Sequence, residues 1–124
     1  MSALTADAVV RLLYQAFEVR DLTRIGTLLS DEAEWVDTTS SGRAVGRDAV
    51  LALLADEVRE SGGSFALRLQ QLYTDDDGHA VAFHEVTDAS GQVHTRCLLF
   101  EVTDGRVGRV QGLAAVPSGR LGRG

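Results

Sequence analysis

The sequence contains no lysine, one cysteine and one proline. Without lysine there is no residue for Schiff-base catalysis, and the lysine of a phosphate-binding P-loop is missing too. The lone Cys97 excludes an intramolecular disulfide and a cysteine-based zinc cluster. Because it lies in the apolar run CLLF at residues 97–100, it is predicted to be a small buried side chain and not a nucleophile.

Long apolar runs and clustered positive charge are also absent. No stretch approaches the roughly 18 apolar residues of a membrane span, and the first residues lack the pattern of a secretory signal. We therefore expect a cytoplasmic protein with no membrane contact. Eighteen acidic and twelve basic residues give a net charge of −6. This balance argues against a nucleic-acid partner, since such partners need a clustered basic surface.

The spacing of glycines, serines and histidines excludes several common catalytic signatures. No G-x-G-x-x-G follows an expected strand, no G-x-S-x-G occurs, and the three histidines do not have H-x-x-x-H spacing. We expect neither a metal site nor an organic cofactor.

Apolar periodicity predicts three helices in the first half of the chain. Thr5 is expected to cap the first helix and Asp21 a shorter second one that ends near residues 30–31. The apolar face of the first helix consists of Val9, Leu12, Leu13, Ala16 and Phe17. A strand at 33–37 and a polar loop should then lead to a third helix that begins at Arg47 and ends at 61–63.

From residue 64 onward a period of two predicts four long antiparallel strands, the last at 106–116. A slip in the apolar phase predicts a bulge at Gln70 and Gln71. The fold class is therefore α+β, with three N-terminal helices packed on a curved, mostly antiparallel sheet. We expect one domain over residues 1–116 and a flexible tail at 117–124.

A two-residue hairpin loop at Ser90 and Gly91 would determine which residues of the two flanking strands lie on the same face of the sheet. It pairs Glu85 with Arg96, and the same count pairs Phe83 with Leu98 and Val81 with Phe100. These residues would cover the helices. The opposite, outer face would carry Ala82, His84, Val86, Thr95, Cys97 and Leu99. Since that face is too apolar to remain solvated, a homodimer through it is expected.

Two carboxylates, Asp37 and Glu85, each have two possible roles. Asp37 ends the first expected strand beside Trp35 and is followed by a polar segment. It either orders the loop by bonding the backbone of Thr39 or acts as the acid/base of a buried site. Glu85 opposite Arg96 is either a structural ion pair at the rim or the polar end of a cavity.

Several short phrases resemble a known family. They are LYQAF at 13–17 with RDL at 20–22, LSDEAEW at 29–35, GRDAV at 46–50 and FEVTDGRV at 100–107. With the order of elements, they resemble the SnoaL-like polyketide cyclase group of the nuclear transport factor 2-like superfamily, over residues 5–114. The resemblance implies a cone-shaped α+β barrel, in which a curved sheet wraps a helix around a cavity.

The resemblance also implies a cofactor-independent enzyme that moves a proton on a small hydrophobic carbonyl substrate, in an isomerisation, cyclisation or dehydration. Asp37 is similar in place to the proton-shuttling aspartate of ketosteroid isomerases. Leu13 and Leu98 stand where that family carries its oxyanion donors, so Arg96, or Tyr14 if it turns inward, is expected to stabilise the oxyanion. The implied substrate pocket consists of Tyr14, Phe17, Trp35, Leu54, Phe83, Glu85, Leu98 and Phe100. The alternative is a non-catalytic protein of this fold that binds a hydrophobic ligand or dimerises.

Overall fold

The computed structural model describes residues 4–37, 43–60, 66–87 and 90–113, without the side chains of residues 37, 57–60 and 66. In chain order, the elements are α1 (Ala6–Glu18), α2 (Leu22–Leu28), β1 (Leu29–Asp37), β2 (Arg43–Val45), α3 (Arg47–Glu60), β3 (Ala66–Thr74), β4 (His79–Thr87), β5 (Val93–Thr103) and β6 (Arg106–Gly112). The expected tail at 117–124 lies outside the described residues. No helix in the described ranges is long and apolar enough to cross a membrane.

The first two helices begin at the predicted caps. The Thr5 hydroxyl accepts a hydrogen bond from the Ala8 amide at 3.2 Å, and the Asp21 carboxylate accepts one from the Arg24 amide at 3.1 Å. The predicted apolar face of α1 is confirmed, since its central members are fully buried and the others pack against the core. However, α2 ends at Leu28 and β1 begins at once, four residues before the predicted strand.

Six strands form one curved sheet in the order β2-β1-β6-β5-β4-β3. Only β1 and β6 run parallel, which confirms a mostly antiparallel sheet. The register of β3 against β4 shifts between Leu69 and Gln71, as the predicted bulge requires. The short β2 was missed because its three residues lie in the segment predicted as a polar loop, and only pairing with β1 makes them a strand.

The helices cover one face of the sheet, here called the inner face, and the core lies between them. On β4 and β5 this face carries Ala80 and Ala82 opposite Phe100 and Leu98, and all four are buried. Tyr14 of α1 contacts Phe100 edge-on, with 6.3 Å between ring centroids. The two small residues on one strand and the larger pair on the other leave room for an aromatic ring from the helix.

The predicted register of β4 against β5 is wrong by one residue. Thr87 pairs with Val93, so five residues connect the strands where two were expected. Because side chains alternate between faces, an odd difference in connection length moves every β4 residue to the other face. His84, and not Glu85, is consequently the partner of Arg96.

This register also corrects the outer face. Ala82, His84 and Val86 leave it and become buried on the inner face. Their places are taken by Val81, Phe83 and Glu85, which are half-buried. The β5 members Thr95, Cys97 and Leu99 stay on the outer face as predicted.

Candidate functional site

A hydrogen-bonded pair of titratable side chains lies in the interior. Tyr14 Oη and His84 Nδ1 are 2.7 Å apart, and the exposed fractions of the two residues are 2% and 3%. Tyr14 occupies the buried side of α1 and His84 the inner face of β4, so the bond joins helix to sheet. Apart from Tyr14, His84 is the only buried polar side chain among the described residues.

Burial holds both members of the pair neutral. It lowers the pKa of His84 to about 4, with a further contribution from the positive charge of Arg96. Burial raises the pKa of Tyr14 well above its usual value, and Cys97 adds to this rise at the alkaline pH where its own thiol is ionised. At neutral pH the pair is therefore an imidazole and a phenol. If Tyr14 donates, the imidazole carries its proton on Nε2; if His84 donates, the phenol proton is free to bond elsewhere.

Aromatic rings surround this pair. Tyr14 contacts Phe17 and Phe100 edge-on, and Phe17 contacts Trp35 in the same manner at 6.5 Å between centroids. Four residues of the implied pocket thus lie together. Leu54 of α3 and Leu98 of β5 are also buried in the core, with 3% and 7% exposed. The interior around the imidazole has a low dielectric constant, in which each polar contact is stronger than in water.

Arg96 lies at the margin of the interior. It is the cross-strand partner of His84 on the inner face, yet its side chain is exposed. Its charge is felt at His84, since it is the second cause of the lowered pKa of that imidazole. Arg96 therefore presents a permanent positive charge where the buried interior meets solvent.

Asp37 is described by its backbone alone. It ends β1 and pairs with Gly112 of β6, which in turn pairs with Leu98 of β5. Along β5, this row lies two residues away from the row that contains Arg96 and His84. The side chain of Asp37, and with it the choice between loop contact and acid/base, lies outside the described residues.

Phe83 and Glu85 do not belong to the interior. Phe83 stacks edge-on against Tyr73 on the outer face, with 6.3 Å between centroids. Glu85 is paired with Thr95 across the strands, and its carboxylate accepts a hydrogen bond from the side-chain Nε2 of Gln70 at 3.3 Å. The expected ion pair of Glu85 with Arg96 is thus absent, because the five-residue connection puts the two side chains on opposite faces.

Sequence reasoning missed His84, which it assigned to the outer face. A signal was present in the alternation of β4, where Ala80, Ala82 and Val86 share the parity of His84. Small residues on a buried strand face leave space for a ring from a helix, whereas the prediction assumed that the bulkier Val81 and Phe83 would cover the helices. Tyr14 supplies that ring.

The family of this chain follows from a comparison with family models. The model described as the SnoaL-like domain matches residues 10–110. This chain belongs to the SnoaL-like domain family. Proteins with nuclear transport factor 2-like and ketosteroid isomerase-like folds are among the solved structures that match the SnoaL-like chain. No curated protein sequence matched it.

Three solved structures illustrate the likeness. Bal32a, from a soil-derived mobile gene cassette, is 26% identical, with 90% of this chain and 89% of that one covered and a TM-score of 0.81. A candidate polyketide cyclase from Sinorhizobium meliloti is 20% identical over 86% and 94% of the chains, with a TM-score of 0.76. TerC, co-crystallised with polyporic acid, is 19% identical over 87% and 89%, with a TM-score of 0.72.

One further group of potential ligand atoms lies at the surface. Asp75, Asp77 and His79, in the turn between β3 and β4, have ligand atoms within 4.8 Å of one another, and all three are exposed. The Asp75 carboxylate already accepts hydrogen bonds from the amides of Asp77 and His79 at 2.8 and 2.9 Å. These bonds also lower the pKa of Asp75. These bonds form an Asx-type turn, which explains why the three side chains lie close together.

Proposed function

We propose that this SnoaL-like protein is a cofactor-independent enzyme that transfers a proton next to the carbonyl group of a small hydrophobic substrate. The observation that carries the proposal is the hydrogen-bonded Tyr14 and His84 inside an apolar, aromatic interior. A few polar groups that converge in an apolar enclosure are typical of small-molecule sites. Titratable groups with strongly shifted pKa values are enriched at catalytic sites.

The proposed base is the Asp37 carboxylate, which takes the proton from carbon, so that the carbonyl becomes an enolate. Return of the proton at another carbon completes an isomerisation. Attack of the enolate on a second carbonyl gives cyclisation, and expulsion of a hydroxyl gives dehydration. The position of Asp37 at the end of β1, in the same cross-strand row as Leu98, supports its assignment.

The developing oxyanion needs a hydrogen-bond donor in a dry site. Sequence reasoning named Arg96 or an inward Tyr14 for this role. The burial of Tyr14 and its bond to His84 favour the pair, because the exposed Arg96 is screened by solvent. In either tautomer the pair retains one donor, the imidazole Nε2–H or the phenol O–H, that can bond a substrate oxygen.

Hydrogen exchange tests the proposal without knowledge of the product. Small ketones, enones and 1,3-dicarbonyl compounds are incubated with the protein in D2O, and deuterium uptake next to the carbonyl is followed by mass spectrometry. We expect uptake above the buffer rate for at least one compound. Asp37→Asn should reduce it by about 100-fold or more, and His84→Asn by about 10–100-fold.

Glu32→Gln is the matched control, since Glu32 is an exposed carboxylate on the same strand. Its rate should equal that of the unaltered protein. Undiminished exchange in Asp37→Asn would overturn the assignment of the base.

The second candidate function is non-catalytic binding of a hydrophobic ligand. It is favoured by the apolar lining of the interior, where Leu13, Tyr14 and Phe100 are each 2% exposed or less. Binding of hydrophobic compounds with no deuterium uptake in any of them would establish this alternative.

A further inference from the structure

Basic side chains gather at one end of the inner face. His84 and Arg96 are cross-strand partners, and His94 pairs with Val86, two residues along β4 and so on the same face. His84 is buried, its direct partner Arg96 is exposed, and His94, two residues further along β5, is partly exposed. This end therefore presents a permanent positive charge beside a buried hydrogen-bonding group.

The inner face offers this charge no carboxylate among the described side chains of β3, β4 and β5. Register puts Leu67 and Leu69 beside Val86 and His84, and the β5 residues that follow Arg96 on this face are Leu98, Phe100 and Val102. The described acidic residues of these strands, Glu85 and Glu101, belong to the outer face. The ion pairs of Arg43 and Arg109 involve Glu34 or Glu101 elsewhere on the sheet.

Polarity falls steeply along β5 from the charged end inward. Arg96 is exposed, the next inner-face residue Leu98 is 7% exposed, and Phe100 beyond it is 1% exposed. A molecule laid along this gradient meets a cation first, then the hydrogen-bonding His84, and finally an apolar wall. The complementary ligand is anionic at one end and apolar over the rest of its length.

We propose that the substrate of this site carries a carboxylate, which Arg96 binds at the exposed end of the inner face while the apolar body of the molecule lies towards Leu98 and Phe100. The planar guanidinium matches a carboxylate in a two-bonded arrangement, and its charge is permanent. The proposal deepens the function given above and takes from it the location of the site. It concerns binding alone and does not depend on turnover.

A consequence for His84 follows from the same geometry. The Arg96 charge contributes to its lowered pKa, so a bound carboxylate that compensates this charge should raise the pKa of His84 from about 4. The described charged or titratable groups that face His84 are Tyr14 from α1 and His94 and Arg96 from β5. The exposed Glu18 of α1 lies beside Leu67 at the same end of the sheet. β3 contributes the apolar Leu67, Leu69 and Leu72 to the inner face.

The test compares 4-phenylbutanoate with the neutral 4-phenylbutanamide, two probes of equal length. Binding is followed by the fluorescence of Trp35, the only tryptophan, which lies in the aromatic cluster. At low salt we expect the carboxylate to bind about tenfold more tightly, with a preference that shrinks as ionic strength rises. Arg96→Gln should abolish the preference, and Arg96→Lys should retain part of it.

Arg68→Gln is the matched control, because Arg68 is an exposed arginine paired with Glu85 on the outer face. It should keep the full preference. A second readout is NMR titration of the His84 imidazole, whose pKa should rise with the carboxylate and not with the amide. Equal affinities for the two probes, or a preference that survives Arg96→Gln, would overturn the proposal.

The outcomes separate this proposal from the proposed reaction. A carboxylate preference that depends on Arg96, with no deuterium uptake in any carbonyl compound, would support the anion site and reject the enzyme. Deuterium uptake that depends on Asp37, with no preference for the carboxylate probe, would support the enzyme and reject the anion site.

Discussion

The hydroxyl of Tyr14 lies 2.7 Å from Nδ1 of His84, seventy residues further along the chain. One bond thus fixes the rotation of α1 over β4 and the orientation of an imidazole ring. Both partners are buried, so neither has water available as a replacement. Loss of either partner leaves a buried polar group unsatisfied.

The first prediction concerns the phenol. Tyr14→Phe keeps the ring and removes the hydroxyl, which leaves His84 Nδ1 without this partner. We expect the free energy of unfolding to fall by about 1–3 kcal/mol, measured by urea denaturation at pH 7. In a double-mutant cycle with His84→Asn, the coupling energy should be at least about 0.5 kcal/mol. Additive effects of the two substitutions would show that the hydrogen bond contributes nothing to stability.

The second prediction concerns pH. Because the pKa of His84 falls from 6.5 in the unfolded chain to about 4 in the folded protein, the unfolded state binds the proton first as pH is lowered. Stability from neutral His84 is therefore complete above pH 6.5 and is lost towards pH 4, by about 3 kcal/mol in all. Urea denaturation at pH 7 and pH 4.5 should show a drop that His84→Asn reduces by about 2–3 kcal/mol.

His79→Asn provides the control for this experiment. His79 is 60% exposed in its side chain and pairs with Asp75 at the surface, so its effect on the drop should be small. The same drop in the unaltered protein and in His84→Asn would contradict a lowered pKa at His84.

The third prediction concerns Gly78, in the turn between β3 and β4. Its φ is +90°, and a Cβ at this position would lie 2.2 Å from the carbonyl oxygen of Val102. The Gly78 carbonyl also accepts a hydrogen bond from the Val102 amide at 2.7 Å, so the turn cannot move away freely. Gly78→Ala should lower the free energy of unfolding by at least about 2 kcal/mol more than Gly91→Ala does.

Gly91 is a matched comparison for that experiment, since its φ is +87° and a Cβ there meets nothing within 4 Å. The comparison separates the free-energy cost of the positive φ, which both variants share, from the cost of the clash, which only Gly78→Ala has. Equal melting temperatures of the two alanine variants would refute a steric role for Gly78.

The fourth prediction concerns self-association, which we propose to involve the corrected outer face. Tyr73 is 57% exposed and lies beside the half-buried Phe83 and Val81, with Leu99 opposite Val81 on β5. A second copy placed by a two-fold axis would cover this apolar area with the same area of its partner. Sedimentation at micromolar concentration should give twice the monomer mass of 13.3 kDa.

Tyr73→Glu should shift this protein towards the monomer, because it buries a charge in the interface. Val19→Glu is the control, since Val19 is 72% exposed at the end of α1, on another part of the surface. Monomeric behaviour of the unaltered protein would reject the homodimer.

Local patterns were sufficient for much of the fold. The apolar face of α1 and the bulge in β3 follow from periodicities that neighbouring residues set by themselves, and both are confirmed. The three residues of β2 carry no such pattern. Their strand depends on Trp35 and its neighbours in β1, which pairing brings alongside. A sequence read locally cannot supply that contact.

The site was harder to predict because β4 is ambiguous. Its odd positions offer Val81 and Phe83 as interior residues, whereas its even positions offer Ala80 and Ala82. The larger side chains at the odd positions favoured the prediction that these positions face the interior. Packing against Tyr14 instead places the even positions there. The aromatic residues of α1, β1 and β5 lie together because each belongs to an element with one clear apolar face.

The five-residue connection between β4 and β5 makes chain length itself a determinant of chemistry. Insertion or deletion of one residue there, with the rest of β4 unchanged, would turn Glu85 and Phe83 inward and His84 outward. An imidazole would give way to a carboxylate opposite Arg96 without any substitution. A change of one residue in the length of this connection can therefore alter the interior acid or base as much as a substitution within the strand would.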